Sequence, residues 1–144
     1  MTRMEPADLT LCAGPNDVGP NVHAALGSPI LYHYDPAFIE RFRAAEGAIA
    51  EIYRTTSHEI ILMQGEAVLG LEAAARALAG PGVPCLNLVS GVFGKGFGYW
   101  LKAIGAELHE IEVPYDEAID PAAVDAYLAA HPEIRVVSVV HSET

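Results

Sequence analysis

Residues 84–113 read PCLNLVSGVFGKGFGYWLKAIGAELHEIEV. The apolar run 84–89 has the length and composition of a strand. A glycine-rich loop follows, then a helix expected around 97–104. Gly105 stands where that helix should stop, and 107–113 is apolar enough for a second strand. Strand, helix and strand within about 30 residues is the unit from which parallel sheets are built, because parallel neighbours need a crossover rather than a hairpin.

Working outward, the same alternation continues. Upstream, 60–63 is a short apolar run expected as a strand, and 67–79 is an alanine-rich helix closed by Gly80-Pro81-Gly82. Downstream, Asp120-Pro121 opens a helix over 122–131, and 134–140 is a last, fourth strand. Earlier still, Phe38, Ile39, Phe42, Ala45, Ile49, Ile52 and Tyr53 recur at three- and four-residue steps, with Asp35 as N-cap and Pro36 in the first helical position. Gly14-Pro15-Asn16 and Gly19-Pro20-Asn21 punctuate the segment up to about Pro29, which reads as an irregular arm. The expected division is therefore an arm and loop over 1–35 and one domain over 36–144. The expected fold class is α/β, a mainly parallel sheet with helices on both faces and right-handed crossovers. Ligands in such sheets bind at the carboxyl ends of the strands, here 64–66, 90–93, 113–115 and 141–144.

Composition narrows the function classes. With 144 residues, 51% of them hydrophobic, the chain has material for one real core and is not disordered. A net charge of −11 argues against nucleic acid and against anionic membranes. The longest apolar runs, such as 136–140, fall far short of the roughly 18 residues a spanning helix needs. No charged-then-apolar leader opens the chain, and Cys12 and Cys85 form no spaced pattern, so Cys85 reads as a buried thiol of a cytoplasmic protein.

Three strand ends carry candidate chemistry. Gln64-Gly65-Glu66-Ala67-Val68 runs from a strand through a glycine turn into a helix, whose free N–H groups and positive dipole end suit an anion; the same pattern also serves as an ordinary turn, with Glu66 as the helix cap. Between Ser90 and Trp100, four glycines stand among aromatics. These glycines are expected to let a flat ligand approach the backbone, with Phe93 as its platform, while Phe97, Tyr99 and Trp100 read as core residues of the following helix. Neither GxxxxGK[ST] nor G-x-G-x-x-G is present. At the last strand end, His141-Ser142-Glu143-Thr144 offers a hydroxyl to a heterocycle, and His141 reads equally as an inner histidine or a base. The six histidines show no metal-ligand spacing, and no G-x-S-x-G elbow exists.

Taken together, Ala13-Gly14-Pro15, Gly65 with Leu71-Glu72-Ala73-Ala74, Ser90-Gly91-Val92-Phe93-Gly94 and the stretch from His141 to Thr144 resemble the class V branch of the fold-type I aminotransferases. Stretches 68–75, 94–100, 111–115 and 117–121 are most similar to its pyridoxamine–pyruvate aminotransferases. The resemblance implies the large, cofactor-binding domain of a pyridoxal 5'-phosphate (PLP) transferase. It assigns Phe93 to stacking on the pyridine ring, where tyrosine often stands, and Thr144 to the neighbourhood of the ring's 3-oxygen. Glu66, Ala67 and Val68 fall in the cup that holds the cofactor's phosphate, and Gly14 and Pro15 border the substrate carboxylate. Tyr32-His33-Tyr34 would approach an active site across a dimer interface. The Schiff-base lysine and its partner aspartate lie beyond Thr144, and neither Lys95 nor Lys102 matches the lysine's place, so no catalytic residue is expected here and the chain reads as an inactive N-terminal fragment. Implied partners are pyridoxamine or an amino acid, a 2-oxo acid, and a second copy in a homodimer or homo-oligomer of the full-length enzyme.

Glu66 departs from the family pattern of small or hydroxyl residues. A carboxylate about 4 Å from a phosphate charge is repelled by roughly 4 kcal/mol at an effective dielectric of 20, whereas it can accept a hydrogen bond from a free hydroxymethyl group. The expectation is an unphosphorylated vitamer, pyridoxamine or pyridoxal, held as substrate, with no PLP cofactor. A PLP-dependent alanine– or serine–glyoxylate aminotransferase and a non-catalytic B6-binding or dimerising module stand as the alternatives.

Overall fold

The computed structural model describes residues 14, 17–57 and 59–143, which fall into two units: 17–64, and residue 14 with 65–143. The first unit holds α1 (Pro20–Leu26) and α2 (Pro36–Ile52). α2 begins where local chemistry says it should, since the Asp35 carboxylate accepts the Ala37 N–H at 2.8 Å and Pro36 supplies a preset φ. Two expectations fail in this unit. The arm is not wholly irregular, because Pro20, read as a turn residue, also serves as the first residue of α1, with the N–H groups of Val22 and His23 returning to the Gly19 carbonyl. Nor is 60–63 a strand. Ile60, Ile61 and Leu62 instead line an open groove of about 720 Å³ with Ile49, Ile52 and Tyr53, because an apolar run without a neighbouring strand has nowhere to send its backbone hydrogen bonds. The Asp35 N–H bonds back to the Tyr32 carbonyl.

The second unit contains α3 (Ala67–Leu78), β1 (Pro84–Val89), α4 (Val92–Ala103), β2 (Glu107–Glu112), α5 (Pro121–Ala130) and β3 (Val136–Val139). The three strands form a parallel sheet in the order β2-β1-β3. β1 is central and the most buried of the three, with five of its six residues buried. By the two-residue alternation of a strand, Cys85, Asn87 and Val89 share one face with Leu108, Glu110 and Glu112 of β2 and with Val136 and Ser138 of β3. α4 covers that face. Cys85, Leu101 of α4 and Ala75 of α3 form its buried cluster, with Phe97, Ile104, Leu108 and Val136 packed around them. Burial pushes the Cys85 thiol above its ordinary pKa and leaves it protonated.

Leu86 and Leu88 face the other way with His109 of β2, whose Nδ1 lies 2.9 Å from the Tyr127 hydroxyl of α5. Helices therefore do flank both faces, although Val139 remains 64% exposed on the second. The β-strands match the expected 84–89, 107–113 and 134–140 within two residues, and α5 starts on Asp120 as its N-cap, which accepts the Ala122 N–H at 2.9 Å. Among the described residues, no helix is long and apolar enough to cross a membrane.

Candidate functional site

The largest departure from expectation lies at the end of β1. The segment read as a glycine-rich ligand loop is already helix: α4 starts at Val92, five residues before the expected 97. The cap that starts it comes from far away in sequence. Glu143, just past the end of β3, places its carboxylate on the first turn, where Oε2 accepts the Phe93 N–H at 3.2 Å and Oε1 accepts the Gly94 N–H at 2.5 Å. A carboxylate among unclaimed N–H groups at the positive end of a helix is the strong form of capping, since it satisfies two donors and the dipole together.

The glycines serve this arrangement, which corrects the reading that they admit a ligand. A Cβ on Gly91 would collide with the Glu143 carboxylate, and one on Gly94 would press within 3.1 Å of Glu143 Oε1 and of the Leu88 carbonyl. One on Gly98 would stand 2.7 Å from Asn87 Nδ2 and 2.8 Å from Glu110 Oε1. Residues 91, 94 and 98 are spaced by three and four and are all buried on the side of α4 that faces the sheet. Gly96 meets nothing within 4 Å and is not part of this set.

Beneath α4, Asn87 is the one buried polar side chain among the described residues, at 1% exposure. Its Nδ2 donates to the Gly94 carbonyl at 3.0 Å and to Glu110 Oε1 at 3.3 Å, and its Oδ1 accepts from the Ser138 hydroxyl at 2.7 Å. Gly94 is thus gripped on both sides, its N–H by Glu143 and its carbonyl by Asn87. Lys95 reaches Glu112 at 2.7 Å and Glu110 at 3.3 Å. The hydrogen bond to Glu112, helped by Glu110, holds its ammonium above the usual lysine range, so Lys95 is a protonated strut rather than a nucleophile.

Phe93 stands on the first turn of α4 with its ring half exposed, at the carboxyl end of β1. Of the aromatics read as core, Phe97 packs on the buried cluster and Trp100 is partly buried beside it, with ring centroids 5.7 Å apart. Tyr99 departs from that reading at 64% exposure, because its position on α4 points away from the sheet-facing glycines.

The second helix N-terminus of this unit, at α3, is built differently. Glu66 occupies the N-cap position yet makes no side-chain bond to the first turn, so the capping role weighed for it is not the one it plays. Its side chain and those of Ala67 and Val68 are exposed. One helix start is closed by a carboxylate from beyond another strand, and the other is open with a carboxylate at its rim. Gly14 is exposed, and Pro15 and Thr144 lie outside the described residues. In the other unit, the rings of Tyr32, His33 and Tyr34 pack on one another, with centroids 4.1 to 5.6 Å apart.

Sequence reasoning missed Glu143 and Asn87. The sequence held only traces of them, an asparagine in the middle of an apolar strand and a carboxylate beyond another, neither of which identifies its partner.

No family model matches the chain. It is 52% identical over 136 residues, 94% of its length, to the pyridoxamine–pyruvate transaminase of Mesorhizobium japonicum, and 25% identical over 126 residues to the alanine–glyoxylate aminotransferase of Drosophila melanogaster. Among solved structures it superposes on pyridoxamine–pyruvate aminotransferase from Mesorhizobium loti with a TM-score of 0.85 and 51% identity, covering 93% of this chain and 34% of that one. The fold of alanine–glyoxylate aminotransferase from Nostoc sp. is also shared, with a TM-score of 0.82 over 99% of this chain at 24% identity. The chain spans about a third of the length of the curated relatives it matches, 34% of the first and 32% of the second.

Proposed function

We propose, from the premise that the chain belongs to the class V branch of the fold-type I aminotransferases, that it supplies the vitamin B6-binding part of an enzyme moving an amino group from pyridoxamine to pyruvate. The products are pyridoxal and alanine: the amino group and one methylene hydrogen with its electron pair pass, net, from the vitamer to the keto carbon, while the oxygen passes the other way to leave the vitamer's carbon as an aldehyde. The observation that carries this reading is the 52% identity to a pyridoxamine–pyruvate transaminase across 94% of the chain.

In the family, PLP supplies an electron sink for the carbon that gains or loses the amino group. The residues at the start of α3 do not fit its phosphate. The Glu66 carboxylate is exposed and uncommitted there, and it would oppose a dianion. They suit the unphosphorylated ring, with Glu66 accepting a hydrogen bond from the free hydroxymethyl group and the backbone of Ala67 and Val68 lining the same cup. Phe93 would carry the ring on its half-exposed face and Thr144 would meet the ring's 3-oxygen. Gly14 and Pro15 would border the carboxylate of the 2-oxo acid. The reacting lysine is supplied by neither Lys95, which is committed to Glu110 and Glu112, nor Lys102. A homodimer in the cytoplasm, with Tyr32-His33-Tyr34 near a neighbour's site, completes the reading, and 36–144 would be the first part of the large domain.

The test is an equilibrium titration of the enzyme carrying these residues with pyridoxal and, separately, with PLP. Tighter binding of pyridoxal is expected. Tighter binding of PLP overturns the choice of vitamer and returns the chain to the PLP-dependent glyoxylate aminotransferases.

A further inference from the structure

We infer that Glu143 is a positioning residue for ring recognition: by taking up the N–H groups of Phe93 and Gly94 it sets the place and tilt of the aromatic platform. This rests on the reading of Phe93 as the surface on which the vitamer's ring lies.

Phe93 sits in the first turn of α4, where the backbone N–H groups have no partner within the helix, and a helix start of that kind frays unless something outside holds it. The N-cap, Gly91, has no side chain to offer. The hold comes from Glu143, which reaches the Phe93 amide itself and the one after it. On the other side of Gly94, Asn87 fixes the Gly94 carbonyl to β1. The backbone that bears Phe93 is therefore clamped between Asn87, inside the central strand, and Glu143, just past the end of β3. The space for the clamp is built in, since neither Gly91 nor Gly94 has room for a Cβ beside the carboxylate. Glu143 also precedes Thr144, the residue assigned to the ring's 3-oxygen, so one side chain ties together the two segments expected to meet the ring.

A cap with this geometry matters to recognition as well as to stability, because half-exposed Phe93 has little packing of its own to settle its orientation. Glutamine keeps the shape and one acceptor oxygen but brings an N–H₂ towards a backbone N–H. Alanine leaves two unsatisfied amides and a vacant anion-sized space.

The experiment is a pyridoxal titration of the enzyme that carries these residues, reading the dissociation constant and the circular dichroism of the bound ring. It compares wild type, Phe93→Leu, Glu143→Ala, Glu143→Gln and the double variant Phe93→Leu/Glu143→Ala. We expect Glu143→Ala to weaken pyridoxal binding roughly tenfold, the scale of one charge-assisted hydrogen bond, and to alter the dichroism of the bound ring. Added formate should recover both by entering the vacated space, and the KM for pyridoxamine should rise more than that for pyruvate. In the Phe93→Leu background the same change should add nothing further, because Glu143 acts through Phe93. A purely structural cap would instead lower the melting temperature, leave the bound-ring spectrum unchanged, and add its effect to that of Phe93→Leu; that pattern overturns the inference. If Glu143→Ala does not fold, Glu143→Gln is read in the same way, and binding within about twofold of wild type overturns the inference. Should Phe93→Leu itself leave pyridoxal binding unchanged, the platform reading fails first, and this inference with it.

Discussion

Ser138 on β3 donates its hydroxyl to Asn87 on β1 at 2.7 Å, joining two strands through side chains 51 residues apart. Asn87 passes the connection on to α4 through the Gly94 carbonyl and to β2 through Glu110, so one buried amide links every strand of the sheet to the helix above it. Replacing Asn87 with Leu leaves the Ser138 hydroxyl and the Gly94 carbonyl short of a partner in a buried place. The expected loss is about 2–3 kcal/mol, measured by urea denaturation. A loss below about 0.5 kcal/mol would show that water or a neighbour takes over the bonds.

Two glycines of α4 should answer oppositely to alanine. Gly98→Ala drives a Cβ against Asn87 and Glu110, at 2.7 and 2.8 Å, and should destabilise by about 1–3 kcal/mol despite the gain in helix propensity. Gly96→Ala meets open space and should stabilise by up to about 1 kcal/mol. Melting temperatures of the pair, measured side by side, decide the point.

Leu101 is fully buried against Ala75 and Cys85. Truncation to Ala removes packing from the cluster that joins α3, α4 and β1 and should cost about 2–5 kcal/mol. Chemical denaturation reads this directly, and a cost under about 1 kcal/mol would mean the helices close over the gap.

Lys95 confers a dependence on alkaline pH. Its folded pKa is raised above the ordinary 10.5 by Glu112 first and Glu110 second. A raised lysine pKa stabilises below the unfolded value, and the contribution fades as pH climbs through the folded one. Stability should therefore fall more steeply as pH rises above about 10.5 in the wild type than in Lys95→Met. Equal slopes in urea midpoints against pH would remove Lys95 from the account. Salt should narrow the difference, because the ammonium is accessible to screening.

Glu66→Ser should reverse the preference between vitamers. With the carboxylate gone from the rim of α3, affinity for PLP should rise by at least about tenfold relative to pyridoxal. Competition titrations of the two ligands measure the ratio, and an unchanged ratio would mean that Glu66 does not face the substituent.

Elements set by their own residues were legible in advance. β1 was readable to the residue, because six mostly apolar positions run from Pro84 to Val89 and stop at Ser90-Gly91. α2 and α5 were readable at their starts, because Asp35-Pro36 and Asp120-Pro121 each carry both a cap and a preset φ. The first turn of α4 was not legible, since glycines argue locally for a loop and the group that overrules them stands at Glu143. The run 60–63 misled for the converse reason: its composition suits a strand, but a strand exists only where another offers its edge. The candidate site divided in the same way. Phe93 and Glu66 could be singled out by residue type and position, whereas Asn87 and Glu143 declared themselves only through their partners.

The alternation of apolar strands with helices, the parallel sheet and its likeness to class V aminotransferases were determined by the sequence itself, because each rests on local periodicity or on long matching strings. Tertiary structure decided which helix start is closed and which is open. That outcome depends on a carboxylate 49 residues downstream reaching the Gly94 amide, and on Glu66 making no bond to the helix it precedes. Capping by a distant side chain leaves no pattern in the segment it caps, so only the folded chain reveals which glycines make room for protein and which N-terminus stays uncapped.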